Sequence, residues 1–218
     1  MEVFTFKHPF TCLLSGPTSS GKTVFVMKLI KDQVSLISPP VKKVIYCYSQ
    51  WQDVFNEMST DFGVTFVQGL PSEEMLREPI PKLLLVDDLM SEIGLETETI
   101  FTRLSHHTST SVILIVQNIF QKNLRTISLN SHYIILMKNP RDRTQINNLG
   151  KQMYPGNIAF LREAYDDATE RPHGYLLIDL RQDTIDTGRV RTNIFPGDVQ
   201  FVYIKDDSQS GQKHSKRK

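Results

Sequence analysis

The sequence predicts a doubly wound α/β domain built around a phosphate-binding loop. Three observations carry that prediction. Short apolar runs of strand length alternate with stretches of helical spacing along most of the chain. Lys82 to Val86 is apolar almost without a break, which suits a strand of a parallel sheet covered on both faces. Gly16-Pro17-Thr18-Ser19-Ser20-Gly21-Lys22-Thr23 fills every fixed position of a Walker A loop, with an apolar run before it and a helical stretch after it.

Thr11 to Ser15 reads as the first strand and Thr23 to Asp32 as a helix, apolar on most sides and therefore buried under the sheet. Pro39-Pro40 closes that region. Lys43 to Tyr48 is a second strand. Trp51, Val54, Phe55 and Met58 follow with the spacing of one helix face, so Trp51 is expected to pack on the sheet or line the crevice. Val64 to Val67 is a short strand, and Ser72 before two glutamates reads as a helix cap. After Lys82 to Val86, a helix is expected over Thr97 to Ser105 and strands over Ser111 to Val116 and His132 to Met137. Ile146, Leu149 and Met153 mark one helix; Ile158, Leu161 and Tyr165 mark the next. Tyr175 to Leu180 and Arg189 to Ile194 read as an antiparallel strand pair at one edge, turning at Gly188.

The chain has 218 residues, enough for one domain with a sizeable core, and that domain is expected to span residues 1–204. From 205 to 218 the composition turns polar and basic, which predicts a disordered tail whose lysines and arginine offer a weak DNA contact or nuclear signal. A net charge of +1 excludes a globally basic nucleic-acid binder, so any DNA contact must come from a local patch or a ring of subunits. Two cysteines, Cys12 and Cys47, both in expected strands, read as small core residues and cannot form a four-cysteine zinc site. No apolar stretch approaches the ~20 residues that span a bilayer. Nor does the start of the chain pair a basic segment with a long apolar run, so no signal peptide is expected. The expectation is a soluble, intracellular protein.

Strand-end ligand sites are the rule in such sheets. The Walker loop, Asp87-Asp88, Gln117 and Arg141 all follow strand ends and are expected to converge on one crevice. Gly16 and Gly21 permit a tight loop of inward-pointing amides. Lys22 faces the β- and γ-phosphates of ATP, and the Thr23 hydroxyl is a ligand for Mg²⁺. Leu83 to Asp88 reads as Walker B, with Asp87 as the second Mg²⁺ holder. Asp88 is the candidate base for the attacking water; its alternative is to cap the next helix. Gln117 is a candidate γ-phosphate sensor, or simply a turn former. Arg141 and Arg143 are candidate arginine fingers, against the ordinary role of a solvated surface arginine. Neighbouring His106 and His107 point apart on a helix, so a structural or polar-surface role is expected rather than a metal pair.

Four segments resemble the genome-packaging ATPases of Polinton/Maverick elements and related double-stranded DNA viruses, within the FtsK/HerA superfamily. They are Phe6-Lys7-His8-Pro9-Phe10 leading into the Walker loop; Leu85-Val86-Asp87-Asp88-Leu89-Met90; Ser105-His106-His107 through Val116-Gln117-Asn118; and Arg125 to Asn130 through Lys138-Asn139-Pro140-Arg141-Asp142 to Gln152-Met153-Tyr154-Pro155-Gly156-Asn157. The resemblance covers about Phe6 to Pro196. It implies an additional-strand, RecA-like topology with the Gln117 strand between the Walker A and Walker B strands. It also implies Mg²⁺-dependent ATP hydrolysis in a homo-oligomeric ring, a pentamer or hexamer, that drives double-stranded DNA into a capsid. Capsid or portal-vertex proteins are then partners, and the site of action is viral assembly in host nucleus or cytoplasm, or the virion itself. The family's polar sensor maps onto Gln117, and its finger onto Arg141 with Arg143 second. Asp88 stands where bacterial relatives often carry Glu. Two other classes compete: a nucleoside kinase and a nucleotide-gated scaffold without catalysis.

Overall fold

A computed structural model describes residues 4–89, 101, 108–121 and 124–206. In chain order, the first half forms β1 (Phe6–Lys7), β2 (Thr11–Ser15), α1 (Lys22–Lys31), α2 (Gln33–Leu36), β3 (Ile37–Ser38), β4 (Lys43–Tyr48), α3 (Val54–Phe62), β5 (Thr65–Gln68), α4 (Glu73–Arg77) and β6 (Lys82–Asp87). The second half forms β7 (Thr110–Val116), α5 (Arg125–Leu129), β8 (Tyr133–Met137), α6 (Thr144–Met153), α7 (Ile158–Ala168), β9 (Tyr175–Asp179), β10 (Val190–Thr192) and β11 (Phe201–Tyr203). His106-His107, Met90 and, apart from the buried Phe101, the Thr97 to Ser105 helix expected from sequence lie outside the described residues, as does the tail from 207 onward.

Nine strands form one sheet in the order β11-β10-β9-β8-β2-β7-β6-β4-β5. From β8 to β5 every neighbouring pair is parallel. β9, β10 and β11 continue it antiparallel. The expected edge pair is therefore extended by a third strand, β11. The β7 strand lies between β2 and β6, as the additional-strand topology requires.

Alternation along the buried strands builds a core on each face. Cys12 and Leu14 of β2 face the layer that holds Phe25, Val26, Leu29 and Ile30 of α1, while Leu13 faces the layer of α6 and α7. Both cysteines are buried in strands, as their sequence context predicts. One residue of α1 departs from expectation: Val24 is 51% exposed although the helix is apolar nearly all round.

The elements missed from sequence are too short to show periodicity: β1, β3, α2, α5 and β11 span two to five residues each. β1 and β3 pair parallel and fix the segment before β2. There Phe6 stacks on Phe10 with ring centres 4.9 Å apart, and His8 Nδ1 meets Ser111 Oγ at 2.6 Å. Trp51 sits ahead of α3 rather than on its face. It packs edge-on against Tyr48, Phe55 and Phe66 while remaining half-exposed.

Candidate nucleotide site

The loop after β2 is held by its neighbours before any ligand is considered. Ser15 is paired with Val116 of β7, and Gly16 N–H donates to the Val116 carbonyl at 3.2 Å. A Cβ on Gly16 would lie 2.6 Å from Ser20 Oγ and 2.7 Å from Met137 Cβ, so only glycine fits there. Gly21 adopts φ 99° and opens α1, with Phe25 N–H donating to its carbonyl at 2.9 Å. Ser20 N–H closes the loop onto the Pro17 carbonyl at 3.2 Å. The Ser20 hydroxyl is buried with no hydrogen-bond partner among the described residues.

Lys22 folds back over the loop, its Nζ donating to the carbonyls of Gly16 at 2.6 Å and Pro17 at 2.9 Å. Burial pulls its pKa down, while Asp87 and Asp88 act in the opposite direction. Asp87 ends β6 and accepts from the Tyr46 hydroxyl at 2.6 Å. Tyr46 can reach it because β4 lies beside β6 in the sheet. Burial raises the Asp87 pKa, the Tyr46 hydrogen bond opposes that, and the Asp88 charge adds to it. Asp88 follows with φ 51°.

These pieces line one open cleft of about 490 Å³. Of the predicted residues, Thr18, Ser19, Gly21, Lys22, Thr23, Asp87, Asp88 and Gln117 all line it, while Gly16, Pro17 and Ser20 do not. Gln52 and His173 line it too and were not anticipated. His173 packs against the loop: a Cβ on Gly21 would be 2.9 Å from its Nδ1. The only sequence signal for it is its turn context, Pro172 before and Gly174 after. Ser19, Asp88 and His173 share a left-handed backbone without being glycine, and such conformations gather at functional sites. The Thr23 hydroxyl and the Asp87 carboxylate in one cleft are hard oxygen donors of the kind Mg²⁺ takes. Among the described residues no cluster of three His, Cys, Asp or Glu side chains offers another metal site.

Behind the cleft, Gln145 of α6 is buried and accepts through Oε1 from Ser15 Oγ at 2.9 Å and from Ile119 N–H at 3.1 Å. Ser15 Oγ also lies 3.2 Å from the Gln117 carbonyl.

The expected convergence of Arg141 on the same cleft does not hold within one chain. Arg141 follows β8, on the opposite side of β2 from β7 and β6, and does not line the cleft. The Asn-Pro-Arg-Asp segment is a turn: Asn139 Oδ1 accepts from the N–H groups of Arg141 and Asp142, both at 3.1 Å. Asp142 Oδ1 accepts from Thr144 N–H at 2.8 Å, at the start of α6. Arg143 is committed within its own chain, paired with Asp166 and standing over the Tyr165 ring at 5.5 Å. Arg141 is exposed, and its guanidinium has no partner among the described residues.

The sequence matches no protein-family model and no curated protein. Solved structures share the fold. The DNA-packaging ATPase B204 of Sulfolobus turreted icosahedral virus superposes with a TM-score of 0.57 at 11% identity, covering 85% of this chain and 97% of its own. The genome-packaging NTPase B204 of Sulfolobus turreted icosahedral virus 2, in complex with ATP-γS, gives 0.54 at 12% identity, over 84% of this chain and 96% of that one. The cytoplasmic domain of the type VII secretion ATPase EccC of Thermomonospora curvata gives 0.50 at 11% identity, over 91% of this chain and 24% of that one. The chain has a P-loop NTPase fold: a mostly parallel sheet flanked by helices, with antiparallel strands at its C-terminal edge.

Proposed function

We propose that this chain is an ATP-hydrolysing motor subunit that moves viral double-stranded DNA into a capsid, working with copies of itself as a ring. The observation that carries this reading is the division of the site. The cleft gathers Lys22, Thr23, Asp87, Asp88 and Gln117 on one side of β2, while Arg141, without a partner among the described residues, stands on the other. An arginine left over in this way is suited to the γ-phosphate of a neighbouring subunit. The fold it shares with two viral packaging NTPases supports the same reading. So do the segments resembling Polinton/Maverick-type packaging ATPases.

The chemistry follows from the residues. The loop amides and Lys22 hold the β- and γ-phosphates. Thr23 and Asp87 would hold Mg²⁺, which would neutralise phosphate charge when bound. Asp88 accepts a proton from water as the water oxygen attacks the γ-phosphorus, and the bond to the ADP oxygen breaks to release phosphate. Gln117, exposed at the end of β7, orients that water or the γ-phosphate. In this reading the ring docks on a capsid or portal-vertex protein, at the viral assembly site or in the virion. Among the described residues no helix is long and apolar enough to cross a membrane.

The test is ATP hydrolysis with and without duplex DNA over a range of salt. Stimulation by duplex that fades as salt rises is the expected result. Hydrolysis that ignores DNA wherever the protein oligomerises sinks the motor reading, and phosphate transfer to a nucleoside replaces it with a kinase.

A further inference from the structure

The chain has a single tryptophan, Trp51, and the hydrolysis described above makes no use of it. Tyr48 ends β4 and lies opposite Asp87 in the register of β4 with β6. Trp51 stands in the turn beyond, its ring 5.4 Å from that of Tyr48 and 5.3 Å from that of Phe66. The next residue, Gln52, lines the nucleotide cleft. Trp51 therefore sits on the rim of that cleft, on the Walker B side. It is 49% exposed, although Tyr48, Phe55 and Phe66 hold its ring in place. A large ring that is already fixed has little freedom left to lose on binding, and tryptophan is enriched among the residues that dominate protein interfaces.

Charge narrows the partner. Asp53, Glu57 and Asp61 are all exposed and stand four residues apart, from the residue before α3 to its last turn. That spacing makes one acidic stripe beginning beside Trp51, and none of the three has an ion pair among the described residues. Such a face repels nucleic-acid phosphates and favours a cationic protein surface. The chain carries one itself. The turn between β8 and α6 exposes Pro140 and Arg141 side by side, and the Arg141 guanidinium has no partner among the described residues. Both faces lie at the carboxyl ends of parallel strands, on opposite sides of β2: Trp51 beyond β4, Arg141 beyond β8. Within one chain they stay apart. Two copies placed head to tail bring them together, and the same contact then repeats around a ring.

We propose that Trp51 is the docking point for a second copy of this chain, packing on Pro140 in the Asn139–Asp142 turn of that copy, while the acidic stripe of α3 draws the cationic turn in. The proposal rests on the ring reading above. Neighbouring residues set the register on both sides. When the second copy's Arg141 enters the cleft beside Gln52, its Pro140 reaches the rim beside Trp51. The rigid proline ring offers an apolar face that aromatic side chains take readily.

Because Trp51 is the one tryptophan, intrinsic fluorescence reports on this face alone. Sedimentation of the full chain with ATP-γS over a range of protein concentrations separates monomer from assembly, and emission is read on each. Assembly is expected to shift the emission to the blue and to cut quenching by acrylamide severalfold. Trp51→Ala is expected to weaken assembly about tenfold and to leave ATP-γS binding by the monomer unchanged. Glu57→Lys, at an exposed position, is expected to weaken assembly severalfold and to flatten its salt dependence, so misfolding of the first variant leaves the second to decide. An assembly in which Trp51 stays as open to acrylamide as in the monomer overturns the proposal, as does assembly of both folded variants at the wild-type strength. So does loss of acrylamide access when duplex DNA or ATP-γS is added to protein that remains monomeric, since another ligand then covers the ring. Protein that binds ATP-γS and stays monomeric at every concentration overturns the ring reading beneath the proposal.

Discussion

Ser15 donates its hydroxyl to the side-chain oxygen of Gln145 across 2.9 Å, directly beneath the phosphate loop. The same oxygen accepts from Ile119 N–H, two residues beyond Gln117. One buried amide therefore ties the end of the Walker A strand, the turn after the Gln117 strand, and the helix that follows the Arg141 loop. Gln145→Leu leaves the buried Ile119 N–H unsatisfied and Ser15 Oγ with only the Gln117 carbonyl at 3.2 Å, which costs about 1–3 kcal/mol, or several degrees of melting temperature for a domain of this size. Because the disturbed groups position Gln117 rather than bind nucleotide, kcat is expected to fall while KM for ATP holds. Gln145→Glu keeps the accepting oxygen and is expected to recover most of the rate. Melting curves beside steady-state kinetics decide; equal behaviour of the two variants counts against the arrangement.

The phosphate loop and Walker B were legible in the sequence because each is local: one short segment supplies both the residues and the turn that presents them. The parallel strands were legible for a related reason, since burial on both faces leaves an unbroken apolar run such as Leu83 to Val86. Tyr46, Gln145 and His173 were not legible. Tyr46 looks like any core aromatic until β4 is placed beside β6 and its hydroxyl meets Asp87. Gln145 reads as a polar residue next to the core position Ile146. Its partner Ser15 lies 130 residues away. His173 reaches the loop only through the turn between α7 and β9. The Asn139 to Asp142 segment was singled out for its arginine, yet most of its polar atoms go into making a turn and starting α6.

Gly16→Ala is expected to abolish nucleotide binding without unfolding the domain. The added Cβ would meet the Met137 Cβ at 2.7 Å, a position fixed by β8 and unable to swing away as a side-chain tip would. Overpacking of this kind costs about 1–3 kcal/mol and here falls on the loop itself. Gly156→Ala is the control, since nothing lies within 4 Å of its added methyl. Calorimetric titration with ATP should show binding in the control and none in Gly16→Ala.

Asp142 gives a pH-dependent contribution with a definite sign. Hydrogen bonds from Thr144 hold its carboxyl below the ordinary value of 3.8. A depressed carboxyl stabilises the fold fully above its unfolded value, and that stability is lost as pH falls through the folded value. Asp142→Ala is therefore expected to cost about 1 kcal/mol at neutral pH. The gap between wild type and variant should shrink below pH ~3.8. Urea melts across that range check it, and a gap that widens on acidification would reverse the sign.

Arg141 and Arg143 should separate cleanly because their surroundings differ. Arg143 is held by Asp166 and by the Tyr165 ring, both on α7 of its own chain, so Arg143→Ala is expected to lose up to about 1 kcal/mol of stability and keep hydrolysis. Arg141 has no partner among the described residues, so Arg141→Ala should melt within ~0.5 kcal/mol of wild type and bind ATP normally. Its kcat is expected to fall by roughly a thousandfold, the loss seen when a finger is removed. Mixing Arg141→Ala with Asp88→Asn protein distinguishes action in trans: in a mixed ring some sites pair an intact Asp88 with a neighbour's intact Arg141. Those sites should turn over, so the mixture is expected to exceed either variant alone. Mixed rings that form and stay inactive would place the arginine's action elsewhere.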